Sequence, residues 1–163
     1  DLRRHQEFSK QNFEVSMDAG SNKKEIPQVL EIAFGIDRIL YTLLDNCFEV
    51  KEERINLKLK PYLAPYSVAV FPLMKKEEKI RTLAKTVQKE LLNSRIASFY
   101  DEAGSIGKRY RRQDELGTPF CITIDYDSLE DQSATIRYRD SMEQERIKIK
   151  EIPDIISKKL ISK

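Results

Sequence analysis

From Ser67 onward the apolar residues fall into short blocks that alternate between strand and helix spacing. Ser67-Val68-Ala69-Val70-Phe71-Pro72 is a continuous apolar run of strand length. Residues 77–93 place Ile80, Leu83, Ala84, Val87 and Leu91 on one stripe of an amphipathic helix. Glu77 and Glu78 open that helix, where the macrodipole favours anions. Residues 96–100 predict a second strand, 105–116 a helix stopped by Gly117 and Pro119, and 120–125 a third strand. Strand, helix, strand, helix, strand in this order implies right-handed crossovers and parallel pairing. Polar and apolar residues then alternate over 135–139 and again over 146–149, so Arg137 and Arg139 share one face of a strand. Pro153 opens a closing helix that runs to Lys163. The expected fold class is α/β, a mixed and largely parallel five-stranded sheet flanked by three helices over 67–163.

Before Ser67 the pattern changes. Val29-Leu30-Glu31-Ile32-Ala33-Phe34 reads as a buried strand broken by Gly35. Ile36, Ile39, Leu40, Leu43 and Leu44 then follow helical spacing. Residues 51–63 are charged, alternate at Ile55, Leu57 and Leu59, and run into Pro61 and Pro65, as a crossing between domains would. The expected division is 1–57, a linker at 58–66, and a second domain at 67–163.

Composition narrows the function classes. Hydrophobic residues make up 40% of 163, enough for a core and against wholesale disorder. Twenty-nine cations against 27 anions leave a net charge of +2, so a polyanion site needs local clustering. No apolar run reaches membrane-spanning length, and the first residues lack a signal-peptide core. Cys47 and Cys121 are far apart and far from His5, the only histidine, which argues for reduced thiols and against a zinc site. Phosphate-loop and nucleophile-elbow motifs are absent from the sequence.

The sharpest cluster is Lys108, Arg109, Arg111 and Arg112, four cations in five positions around Tyr110. On a helix 108 and 112 lie one turn apart, and 109 and 112 share a face. Ile106 and Tyr110 lie on another, so the segment buries one side and shows cations on the other. Such a helix beside a sheet edge suits RNA, and a solvated charged helix is the alternative on charge alone. Asp114, Glu115 and Asp140 have arginines near enough in sequence to pair with.

Several separate segments resemble one family. Leu63-Ala64-Pro65-Tyr66, Gly104-Ser105-Ile106-Gly107-Lys108-Arg109-Tyr110, Asp114-Glu115, Ile122-Thr123-Ile124-Asp125 and Arg137-Tyr138-Arg139-Asp140-Ser141-Met142 occur in the order and spacing of an anticodon-binding domain. That domain belongs to the dimeric, eukaryotic/archaeal-type glycyl-tRNA synthetases of class II. Upstream, Glu31-Ile32-Ala33-Phe34-Gly35-Ile36-Asp37-Arg38 resembles the same family's motif 3. The resemblance implies that Arg38 meets the ATP γ-phosphate, with Glu31 and Gly35 near ATP and Glu31, Ile32 and Ala33 near glycine. The family usually reads Glu-Pro-Ser-Phe-Gly, so Ala33 stands where a glycine-binding hydroxyl is expected. Lys108 replaces a usual arginine, a point charge in place of a fork.

By the same resemblance, Lys108, Arg109, Arg112, Asp125, Asp127, Arg137 and Arg139 are candidate anticodon contacts. A carboxylate at 125 or 127 would suit a cytosine amino group. The resemblance implies a cytoplasmic ligase that joins glycine to tRNA(Gly) through glycyl-adenylate, with Mg2+ in the whole enzyme and a homodimer formed by regions outside this chain. It further implies that this chain is the carboxy-terminal portion and does not aminoacylate alone. A non-catalytic RNA-binding module, or another class IIa synthetase, is the alternative.

Overall fold

The structure, a computed structural model, describes residues 2–16, 22–28, 30–51 and 54–161. Contacts divide the chain into two compact units, Asp1–Ile36 and Asp37–Lys163. The first holds helix α1 (Leu2–Ser9) and a two-residue antiparallel pair, β1 (Val15–Ser16) with β2 (Lys24–Glu25). The strand expected at 29–34 does not form over the described part: Leu30 to Gly35 has no regular structure and lies exposed. A buried strand needs lateral hydrogen-bonding neighbours, and no strand pairs with these residues among those described. Val29 lies outside the described residues.

The second unit begins with α2 (Ile36–Cys47, its first residue at the division), a hairpin of β3 (Phe48–Lys51) and β4 (Arg54–Leu57), and a 3-10 turn at Pro61–Leu63. This hairpin lies just before the expected linker at 58–66, and the contacts group it with the sheet that follows. Then come β5 (Val68–Pro72), α3 (Glu78–Asn93), β6 (Ser98–Tyr100), α4 (Ile106–Leu116), β7 (Phe120–Ile124), α5 (Asp127–Asp131), β8 (Ser133–Tyr138), β9 (Gln144–Lys148) and α6 (Ile152–Ile161). The strand order is β6-β5-β7-β8-β9. The first three strands are parallel, and β8 pairs antiparallel with both β7 and β9, so β8 alone runs against the other four. The α/β class and the five strands are those the sequence predicts. The short helix α5 is an addition.

Strand alternation sorts the two faces. Val68, Val70, Ile122, Ile124, Ala134 and Ile136 face one way and join Ile80, Ala84, Val87 and Leu91 of α3 and Ile152 and Ile156 of α6 in the main core. Ala69, Phe71 and Cys121 face the other way and receive Ile106 and Tyr110 of α4. Both cysteines are free, and burial pushes the Cys121 thiol up to about 12, which makes it inert. On the α4 side the later strands carry Thr123, Thr135 and Arg137 instead of hydrocarbon. The sheet therefore has one apolar face and one that turns polar towards β9.

Candidate nucleic-acid interface

Helix α4 is set down by its inward stripe. Positions 106, 110 and 113 recur at helical spacing, and Arg109 falls between them. Arg109 is consequently buried, correcting the expectation that it shares an exposed face with Arg112. Its Nη1 donates to the Pro72 carbonyl at 2.6 Å and Nη2 to the Gly104 carbonyl at 3.2 Å. Burial lowers its pKa, and Nε has no acceptor among the described residues. Arg109 therefore ties the end of β5 to the loop before α4. Arg112 does related work from the surface, donating to Asp101 at 2.5 Å and to the Ala103 carbonyl at 2.7 Å while staying partly exposed. Lys108 and Arg111 project to solvent with no ion-pair partner among the described residues.

Arg137 and Arg139 are also buried, contrary to a simple contact role. Arg137 makes a two-pronged pair with Asp114 at 2.8 and 3.0 Å, and its guanidinium lies over the Tyr110 ring, 4.8 Å from the centroid. Burial works against its charge, but the Asp114 carboxylate more than offsets this and raises the pKa. The Tyr110 hydroxyl meets the Thr123 hydroxyl at 2.6 Å, and burial raises the phenol's pKa. Arg139 donates to the carbonyls of Gly117, Leu57 and Leu59 at 2.7, 3.1 and 2.9 Å, and pairs with Asp140. Both arginines do share a strand face, as the alternation predicts; packing against α4 and the hairpin is what removes them from solvent.

Asp125 follows β7 at the carboxyl edge of the parallel strands, where ligands gather in open α/β sheets. Its oxygens accept from Ser128 and from Arg146 Nη1 and Nη2 at 2.8 and 3.1 Å. The Arg146 bond holds its carboxyl below the usual range, and Asp131 is lowered by the same arginine. Asp127 begins α5 and stays exposed. Arg146 was missed in the sequence reading, although its place in the β9 alternation puts it opposite Thr135.

Between α4, β4 and the β8–β9 turn lies a groove of about 540 Å³. Tyr110, Asp114 and Arg137 line it, with Lys108 and Arg111 from the helix and Arg54 from the hairpin. Gly107 leaves open space where a Cβ would stand. The volume falls within the range of small-ligand pockets. A guanidinium stacked on an aromatic ring, beside cations with no carboxylate partner among the described residues, favours a planar group joined to phosphate.

The motif 3 residues are divided between the units. Glu31, Ile32, Ala33 and Gly35 are exposed in the first, while Arg38 is exposed in the first turns of α2 in the second. Arg38 has no ion-pair partner among the described residues. No cluster of three or more His, Cys, Asp or Glu suited to a metal occurs among the described residues, and no described helix is long and apolar enough to cross a membrane.

A mixed α/β sheet whose polar face carries a basic, aromatic-floored groove offers the stacking and phosphate-holding groups that nucleic-acid-binding domains of the open-sheet class use. The chain belongs to the anticodon-binding-domain family, which matches residues 67–159. It is 47% identical over 165 residues to a glycine–tRNA ligase of Alkaliphilus oremlandii, covering 98% of this chain and 35% of that protein. It is 46% identical over 167 residues to that of Clostridium beijerinckii, with the same coverage, and 47% identical over 157 residues to that of Malacoplasma penetrans, covering 93% of this chain and 33% of that protein. The chain thus spans about a third of the length of the curated relatives it matches. Its fold is similar to the RNA-binding domain of threonyl-tRNA synthetase from Cryptosporidium parvum Iowa II, with a TM-score of 0.56 and 26% identity over 62% of this chain and 25% of that one.

Proposed function

We propose that this chain reads the anticodon loop of tRNA(Gly) for a homodimeric, cytoplasmic glycine–tRNA ligase of class II. The observation that carries the reading is the groove, a stacked Tyr110–Arg137 floor walled by Lys108 and Arg111 inside a family that binds anticodons. Single-stranded loops are recognised by stacking unstacked bases and by hydrogen bonds to their edges, with cations holding the backbone. In this reading Lys108, Arg111 and Arg112 meet phosphates. Asp127, and Asp125 as oriented by Arg146, face base amino groups. Arg109, Arg137 and Arg139 act from below by fixing α4 and the groove floor.

The test is binding of a fluorescent tRNA(Gly) anticodon stem-loop followed across salt. Three phosphate contacts give a log–log slope of roughly −2 for single-stranded RNA. Lys108→Ala and Arg111→Ala should each flatten it by about 0.7. Unchanged affinity and slope in the double variant would leave α4 a solvated charged helix.

For the whole protein we propose ATP-dependent ligation through glycyl-adenylate, with Glu31 and Gly35 near ATP and Glu31, Ile32 and Ala33 near glycine. The exposed Arg38 guanidinium, without an ion-pair partner among the described residues, fits a γ-phosphate, since it is permanently charged and forks onto oxygen. Mg2+ would bind mainly through residues outside this chain. Arg38→Ala in the whole enzyme should slow glycine-dependent pyrophosphate exchange about a hundredfold or more. Wild-type exchange in that variant would remove Arg38 from the chemistry.

A further inference from the structure

We propose that the β3–β4 hairpin, which precedes the span matched by the family, is a working third wall of the RNA groove, with Arg54 its phosphate-contacting residue and Arg139 its positioning residue. This rests on the groove being the RNA site. The family match begins at residue 67, yet Arg54 and Ile55 line the groove together with α4 and the β8–β9 turn.

The hairpin is clamped in place. Arg139 is buried and, beside its pair with Asp140, donates to backbone carbonyls that join Leu57 and Leu59 at the base of the hairpin to Gly117 at the end of α4. Gly117 adopts a φ of +80°, and a Cβ there would lie 2.8 Å from the Leu57 carbonyl oxygen. The absent side chain lets β4 approach that closely. Asn56 of β4 is buried, and the Lys58 amide donates to the Cys47 carbonyl at 2.7 Å across the same base of the hairpin. A wall fixed at its base in this way is pre-organised, which lowers the entropy lost on binding.

Its free side carries the recognition chemistry. Arg54 Nη1 donates across the mouth of the groove to Met142 Sδ at 3.3 Å. A thioether is a weak acceptor, so the guanidinium is held in place yet gives up little when a phosphate oxygen takes its bond. A bond to phosphate is charge-assisted and roughly twice as strong as a neutral one. Ile55, 43% exposed, offers the only aliphatic side chain of β-branched shape among the groove's described lining residues. The hairpin thus adds to the groove lining a cation suited to a phosphate and an apolar residue. The ligand it fits is one unstacked nucleotide of a single-stranded loop.

The experiment uses the full 163-residue chain and the same fluorescent anticodon stem-loop. Arg54→Ala should weaken binding about tenfold, the worth of one charge-assisted hydrogen bond, and flatten the salt slope by about 0.7. Arg54→Lys should restore the slope. Arg139→Lys should lower affinity in the native background but not in Arg54→Ala, while lowering thermal stability equally in both; a purely structural arginine would lower affinity in both. If Arg54→Ala binds normally while Lys108→Ala and Arg111→Ala bind weakly, the groove stands and the third wall is wrong. If all three bind normally, both ideas fall.

Discussion

Arg137→Ala is expected to cost about 3–5 kcal/mol of folding free energy, because it strands the buried Asp114 carboxylate without its partner. That is a large part of the ~5–15 kcal/mol by which domains are stable. The variant should show a much lower urea midpoint and lose RNA binding even where it remains folded, since the layer under Tyr110 is gone. Asp114→Asn leaves one neutral acceptor and should be milder. Replacing both, as Arg137→Met with Asp114→Leu, should recover most of the stability but not the binding, as buried pairs are commonly neutral against hydrophobic replacements of similar volume. A loss below about 1 kcal/mol in Arg137→Ala would mean that water reaches Asp114 and that the groove floor is not sealed.

Gly117→Ala is expected to act on two parts of the molecule together. The residue closes α4 in the left-handed conformation, with its amide on the Asp114 carbonyl and the Thr118 amide on the Gln113 carbonyl. A left-handed alanine costs about 1–2 kcal/mol. The new methyl also meets the Leu57 carbonyl at 2.8 Å and Leu59 Cδ1 at 3.0 Å, so backbone must shift. We expect a total loss above ~2 kcal/mol and faster amide exchange at Ile55 to Leu59 than at β5 or β7. Thermal unfolding combined with residue-resolved hydrogen exchange separates these contributions. Loss of stability with unchanged hairpin protection would show that the strain is absorbed by α4 alone.

The sheet was readable because β5 and β7 carry nearly continuous apolar runs, the later strands alternate, and α3 carries a clean stripe. Val68 to Pro72 and Phe120 to Ile124 are buried throughout, and Ile80, Ala84, Val87 and Leu91 all reach the core. Gly117 with Pro119 marked the end of α4 correctly for the same local reason. The expected strand at 29–34 failed because an apolar run specifies burial only where another element supplies the covering surface. The β3–β4 hairpin is hidden by the charges of 51–63, which read as a crossing between domains, whereas Arg139 and α4 hold it in place.

The candidate site was legible as a region and not residue by residue. Charge density found α4, but it cannot tell a solvated cation from one that braces carbonyls. Arg109 could have been recognised as inward-facing from its spacing to Ile106 and Gln113. Arg137 could not, since its burial depends on Asp114 arriving from another element. Arg54 and Arg146 lie in no local motif; β4 packing against α4 brings the first to the groove, and pairing of β9 with β8 brings the second opposite Thr135.

Arg139 grips the hairpin entirely through main-chain carbonyls, so its hold is blind to which side chains β4 carries. The seat and the surface it offers are therefore separable inheritances. Residues 54 and 55 are free to drift, or to be exchanged for those of a relative, without loosening the joint beneath them. A graft of that hairpin face onto this frame would be a direct route to altered loop preference, with the clamp left untouched.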